Sequence, residues 1–175
     1  GNGLVLTGSS GADRITIVGD VPVTVLGGGE ADVIVGDLGG DILAGEDGAD
    51  VITGGGGADT IDGGAGDDTI TGAEGDDTID GGEGDDVAVY AGNQSDYTFE
   101  SSADGLTVTI TETLTGYVDT VTDVETLSFA DGDIGVSFDA VESRLVLTGS
   151  DDVDNIEIVG DVAVTVLGGD GADTL

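Results

Sequence analysis

Seven aspartates stand nine residues apart, at Asp32, Asp41, Asp50, Asp59, Asp68, Asp77 and Asp86. A carboxylate is a hard anionic oxygen donor, and a regular series of carboxylates is suited to holding hard cations. Two residues after each comes an apolar side chain: Ile34, Leu43, Ile52, Ile61, Ile70, Ile79 and Ala88. Glycine opens every nonapeptide from Gly27 onward and recurs at position four in all but the first, where Glu30 stands. Related copies place Asp13 within residues 8–16, Asp154 within 149–157 and Asp173 within 168–175. Val23 occupies the aspartate position of a degenerate copy, and the stretch near Leu4 has none, so no ion is expected at those two turns.

A period of nine fits neither a helix near 3.6 nor a free strand of period 2. It does fit a turn of six residues followed by a strand of three. Glycine lets the turn be tight, and the apolar residue of the strand faces inward. Two nonapeptides then make one flattened coil, and coils stack through parallel strands about 4.8 Å apart. Repeat n lies over repeat n+2, which predicts an all-β parallel β-roll, or β-helix solenoid, of short strands. Its two aspartate columns are Asp13, Asp32, Asp50, Asp68, Asp86 and Asp41, Asp59, Asp77. Carboxylates stacked about 5 Å apart repel by roughly 3 kcal/mol at an effective dielectric of about 20. A divalent cation between each pair turns that repulsion into attraction.

Calcium takes roughly six to eight oxygens in irregular geometry, whereas magnesium is stricter and zinc prefers nitrogen or sulfur. Two aspartates with backbone carbonyls from two turns supply such a set. The carbonyl candidates are Gly27, Gly36, Gly45, Gly54, Gly63 and Gly72 at position one, and Gly39, Gly48, Gly57, Gly66 and Gly75 at position four. Complete pairs are expected at 13/32, 32/50, 50/68, 68/86, 41/59, 59/77 and 154/173, about seven ions in all, which would change the charge from −36 to −36 + 14 = −22. The extra aspartates at position five, Asp67, Asp76 and Asp85, are expected to face solvent.

Composition agrees with a folded chain that lacks its counter-ions. The 175 residues carry 38 Asp and Glu against two arginines, yet 38% are hydrophobic. Phosphate recognition needs clusters of Lys and Arg, so nucleic acid and anionic membrane are excluded as partners. No apolar run is long enough to span a bilayer. Without His, Cys or Lys the common nucleophiles and bases are missing, as is any thiolate metal site. A carboxylate pair could still cleave a glycoside, but the periodicity already accounts for the aspartates, and no enzyme activity is expected. The opening GNGLVLTG has neither the basic start nor the apolar stretch of a signal peptide.

A second period is nested around the first. The stretch from Leu4 recurs from Leu145, an offset of 141. The reading is therefore residues 1–26 as the start of a solenoid with one repeat, 27–89 as seven nonapeptides, 90–141 as a flanking or continuing β segment, and 142–175 as the start of the next tandem unit. Starting and stopping inside a repeat predicts a piece of a longer array. In residues 90–141, alternation around Asp104-Gly105 predicts a hairpin that could project sideways. Tyr90, Tyr97, Phe99, Tyr117, Phe129 and Phe138 are expected to form a small core there.

The nonapeptides resemble those of the RTX (repeats-in-toxin) calcium-binding family, closely over residues 8–16 and 27–89 and in part over 149–157 and 168–175. The resemblance implies a calcium-filled β-roll, type I secretion from a Gram-negative bacterium and folding after export. Residues 119–134, DTVTDVETLSFADGDI, are similar to segments that follow the repeats in many such proteins. Two functions remain open. One is a structural array, building an extracellular fibre, surface layer or adhesin stalk, with its units meeting end to end and cell-surface polysaccharide as a further partner. The other is a secretion or carbohydrate-binding module of a secreted enzyme or toxin. The 141-residue duplication favours the array, since a fibre needs many rolls and a secretion aid only one.

Overall fold

The computed structural model describes residues 3–102, 106–139, 144–150, 154, 156–158, 164–169, 171 and 173. Each nonapeptide contributes a strand, and alternate strands go to opposite sheets. β1 (Leu4–Thr7), β3 (Val23–Gly29), β5 (Ile42–Asp47), β7 (Thr60–Ala65) and β9 (Thr78–Glu83) run parallel in the first sheet. β2 (Arg14–Thr16), β4 (Val33–Val35), β6 (Val51–Gly56), β8 (Thr69–Glu74) and β10 (Val87–Val89) run parallel in the second. Register advances by 18 residues from Leu43 to Ile61 to Ile79 and from Ile34 to Ile52 to Ile70. The chain is an all-β parallel solenoid.

Side chains alternate faces along a strand. Position eight therefore points inward, and position six, two residues earlier, points inward with it. Val25, Leu43, Ile61 and Ile79 from one sheet meet Ile34, Ile52, Ile70 and Ala88 from the other, all 0–1% exposed. Position seven points out, so Ile42 and Val51 stay exposed although they are apolar.

After β10 the roll is interrupted, and it then resumes. The chain makes one turn of 3-10 helix (Gln94–Asp96), then β11 (Tyr97–Ser101) and β12 (Thr107–Glu112), an antiparallel pair. The Asp-Gly step expected to turn this hairpin lies outside the described residues. β13 (Val118–Thr122) returns to stack parallel on β9, and β14 (Thr126–Phe129) stacks parallel on β10. The detour costs the coil 24 extra residues, since Thr120 takes the place over Thr78 that an offset of 18 would have given to residue 96. The hairpin does not project sideways. β12 pairs with β13, so β12 and β11 extend the first sheet, because an exposed strand edge is satisfied most directly by another strand. Phe129 packs against Tyr90, Tyr97 and Phe99 with ring centroids 5.3, 5.3 and 5.9 Å away, and these four rings fill the core of the interruption. Tyr117 stays outside it, 37% exposed, and the side chain of Phe138 lies outside the described residues.

β15 (Gly132–Asp139) and β16 (Arg144–Thr148) continue the second sheet antiparallel, and β17 (Val164–Leu167) stacks parallel on β16. The pairing Leu145 with Val164 reproduces Leu4 with Val23 at the 141-residue offset. The two copies nonetheless sit in opposite sheets: β1 and β3 in the first, β16 and β17 in the second. Phe99 bridges Ile158, the equivalent of Ile17, so the opposite half of the second copy joins the first sheet. The second copy begins half a coil out of phase with the first. Leu175, which follows Asp173 by two residues as Ile34 follows Asp32, lies outside the described residues.

The inward ladder sets a clear stability test. Ile61→Ala removes a side chain 1% exposed between two sheets and should cost about 2–5 kcal/mol in calcium. Val18→Ser alters a residue 93% exposed and should stay within about 0.5 kcal/mol. Denaturant unfolding at saturating calcium measures both.

Candidate metal centres

The two aspartate columns are present as stacks, and hydrogen bonds define them. Asp32, Asp50 and Asp68 donate their amides to Oδ1 of Asp50, Asp68 and Asp86 at 2.7, 2.7 and 2.8 Å. On the other side Asp41 and Asp59 donate to Oδ1 of Asp59 and Asp77 at 2.7 and 2.8 Å. Asp13 donates to Asp32 at 2.6 Å, and Asp154 to Asp173 at 3.3 Å. Each carboxylate thus reaches back one coil. The seven aspartates from Asp32 to Asp86 are at most 2% exposed, a burial that charged groups accept only when partnered.

The partner for the second oxygen is missing. Oδ2 of Asp32, Asp50, Asp59, Asp68, Asp77, Asp86 and Asp154 is buried and receives no hydrogen bond. Where the ladder starts or is interrupted, an amide fills the gap: Ser9 donates to Oδ2 of Asp13, and Asp37 to Oδ2 of Asp41 at 3.2 Å. An unsatisfied buried carboxylate oxygen is costly, which points to a positive species in the turn.

The position-one glycines show which second oxygen lies near each orphaned one. A Cβ built on Gly27 would lie 2.5 Å from Asp32 Oδ2 and 2.6 Å from the Gly45 carbonyl oxygen, so any larger residue is excluded by crowding. The same convergence of an aspartate Oδ2 with the next coil's carbonyl occurs at Gly8, Gly36, Gly45, Gly54 and Gly63. The carbonyls involved are those of Gly27, Gly45, Gly54, Gly63, Gly72 and Gly81. Gly81 was absent from the expected set, and the Gly36 carbonyl is not among the atoms nearest any cradle. Position-four carbonyls are not nearest to these cradles either. Those of Gly48, Gly57 and Gly66 lie under the position-four glycine of the following coil, where φ is +130° to +158°. Among the described residues no three acidic side chains gather as a metal cluster. The donor set is instead carboxylate oxygen plus backbone carbonyl, hard oxygen throughout, which fits calcium. Asp67, Asp76 and Asp85 are exposed.

Two residues extend the columns beyond the nonapeptides. Asp77 donates its amide to Asp119 Oδ1 at 3.0 Å, and Asp86 donates to Glu125 Oε2 at 2.8 Å. Neither could be assigned from spacing, because the detour between β10 and β13 hides the offsets of 42 and 39. The one available signal was local: Asp119-Thr-Val-Thr has the D-x-U-x pattern of the repeats.

Electrostatics reflect the burial. Desolvation is the main reason that Asp59, Asp68 and Asp119 are pushed up to about 6, with neighbouring aspartates adding to it and the accepted amide opposing it. Asp50, Asp77 and Asp86 move in the same direction for the same first cause.

A known family of repeats agrees with this geometry. Residues 26–61 and 53–88 match the family of RTX calcium-binding nonapeptide repeats, described as 4 copies. A search of curated proteins gives no match. Among solved structures, the extracellular lipase LipA from Serratia marcescens is similar at 20% identity and a TM-score of 0.43, over 89% of this chain and 27% of the lipase. The chain spans about a quarter of the lipase's length.

Two measurements follow from the site. In chelator, carboxyls raised to about 6 keep protons in the folded chain that an unfolded Asp releases near pH 4, so stability is highest below about pH 4 and falls as pH rises through 6. In calcium the same protons compete with the metal, and the calcium midpoint for folding should rise as pH drops from 7 to 5. Circular dichroism across pH, with and without calcium, reads both signs. By position, Asp59→Ala should lower calcium affinity markedly, whereas Asp67→Ala should leave it near the wild-type value. Equal losses would overturn the assignment of position six.

Proposed function

Because residues 26–88 are RTX calcium-binding nonapeptide repeats, we propose that this chain is a calcium-loaded structural segment of a secreted bacterial protein, one link in an extracellular fibre, surface layer or adhesin stalk. RTX nonapeptides bind calcium, and calcium is the ion assigned to the position-six columns. Neutralising buried, otherwise unsatisfied carboxylates makes binding and folding a single transition. Each site held at 100 times its dissociation constant adds about 2.7 kcal/mol if the sites are independent. A chain that stays open at low calcium and closes at extracellular concentrations suits export in an unfolded state, and type I secretion is the proposed route.

The array reading is carried by the way the second copy joins the first. β15 pairs with β16 and Phe99 bridges Ile158, so both sheets run from one unit into the next. Units joined through continuous sheets make a stiff rod rather than beads on a string. Like units end to end are the proposed partners, and cell-surface polysaccharide is a proposed ligand of the rod. Catalysis is not assigned to this segment, since its buried carboxylates are committed to the metal columns.

One observation favours the second reading, a carbohydrate-binding module of a secreted enzyme. A cavity of about 400 Å³ beside the aromatic core is lined by Tyr90, Tyr97, Tyr117, Glu74, Glu112 and Asp119. Aromatic faces with a few acceptors are a surface on which a neutral sugar can stack. With two arginines in the whole chain, an acidic glycan has no counterpart there.

Calcium titration followed by circular dichroism should show the β signal appear cooperatively in millimolar calcium and vanish in chelator. An identical signal in both would overturn the calcium reading. Electron microscopy of the protein in calcium should show axial association. Discrete monomers there, with binding of a neutral polysaccharide, would favour the carbohydrate module instead.

A further inference from the structure

The point at which the roll resumes is built like a cation site, although it lies outside the nonapeptides. In the coil before it, a Cβ on Gly63 would lie 2.5 Å from Asp68 Oδ2 and closer still to the Gly81 carbonyl. One coil later, a Cβ on Gly81 would lie 2.8 Å from Asp86 Oδ2 and against the Asp123 carbonyl. The contact is the same with the Asp123 carbonyl in place of a glycine's, although Asp123 itself stands at φ +47°. Asp86 is 0% exposed and its Oδ2 has no hydrogen-bond partner. Glu125 takes the part that an aspartate Oδ1 plays elsewhere: its Oε2 accepts the Asp86 amide at 2.8 Å. The turn is only three residues long, between β13 and β14, and its longer Glu side chain makes up the reach.

The other column ends differently. At Gly72 the three atoms nearest a built Cβ, out to 3.1 Å, all belong to Asp77, and no carbonyl of the following segment comes closer. That segment arrives at β13 from the antiparallel β12, so no position-one residue is in place. A cradle of orphaned carboxylate plus carbonyl is thus completed on one side of the junction.

We propose that Asp86 Oδ2, the Asp123 carbonyl and the Glu125 carboxylate form a further calcium site, which locks β14 and the segment beyond it onto the nonapeptide roll. The proposal rests on the calcium reading above. Asp123 and Glu125 are exposed, so water completes the coordination shell. Filling the site neutralises the Asp86–Glu125 pair and fixes the turn whose Glu125 and Thr126 amides both donate to the Asp86 carbonyl, at 3.2 and 3.0 Å. The roll and the aromatic segment would then close together on calcium instead of as independent parts.

The test is equilibrium dialysis of calcium against the full chain, with amide hydrogen exchange at Glu125 and Thr126. Glu125→Gln keeps the acceptor for the Asp86 amide but removes the charge. It should lose one bound calcium per chain at the concentration that just saturates the wild type, and calcium should no longer slow exchange at those two amides. Asp123→Gly, which keeps the carbonyl, should bind within about threefold of wild type. Asp59→Asn separates the two readings. If it loses calcium while Glu125→Gln binds and exchanges like wild type, the junction site is wrong and the nonapeptide sites stand. If neither variant loses calcium, the calcium reading falls and this site with it.

Discussion

Everything in this fold depends on a carboxylate that reaches back one coil to the amide of the carboxylate before it and leaves its other oxygen buried and unpaired. That bond sets the register. The Asp32-to-Asp50 and Asp59-to-Asp77 links fix an 18-residue coil on each side, and the isoleucine two residues on follows inward because strand faces alternate. The same bond creates the electrostatic problem. It lines up like charges at the spacing of a strand, in a place where water cannot screen them. Apolar burial holds the coils together from inside, while the columns at the turns push them apart until a cation arrives. A protein built this way has its stability divided between a permanent core and a conditional one.

The position-one glycine has a part in this that goes beyond backbone flexibility. Space is what it provides. With no Cβ, Gly27 lets the Asp32 Oδ2 and the Gly45 carbonyl approach a common point, and the same void is repeated up both sides of the roll. Left-handed backbone is needed one residue later, where Gly64 stands at φ +108°, and here the chain tolerates Glu46 and Ala73 at φ +73° and +80°. Position two therefore varies where position one does not, because strain at a single φ is bearable and a collision with two oxygens is not.

The interruption shows how a solenoid accepts a foreign segment without losing its sheets. Residues leaving β10 return antiparallel, and the stack survives since antiparallel and parallel strands offer the same spacing to a neighbour. The rings of Tyr90, Tyr97, Phe99 and Phe129 occupy the volume that isoleucines fill elsewhere. Gln94 then donates its side-chain amide to Asp154 Oδ1 at 2.9 Å, supplying at the start of the second roll what a preceding aspartate amide supplies in the first. The exchange of sheets between the two copies comes after this segment: β13 and β14 return in phase on β9 and β10, and β15 then stays in the second sheet, so that β16 pairs there.

The sequence by itself determined the parts that repeat. Period nine with an apolar eighth position leads to two-sheet coils, paired n with n+2, and to which aspartates share a column, because every coil solves the same local problem and its answer is written seven times in succession. Composition named the donor chemistry, since only oxygen ligands are on offer. Tertiary structure decided what happens once the period is lost. The order β13-β12-β11 within the first sheet, the capture of Asp77 by Asp119 and of Asp86 by Glu125, and the half-coil phase of the second copy all depend on where a non-repeating chain comes back to the stack. Those positions are set by sheet edges that need partners and by an aromatic core that needs volume, and neither leaves a spacing in the sequence to count. Which carbonyls face the aspartates was also decided in three dimensions. Position one and position four are both glycine, and only the stacked coil shows that the first opens toward Oδ2 while the second lies under its counterpart in the next coil.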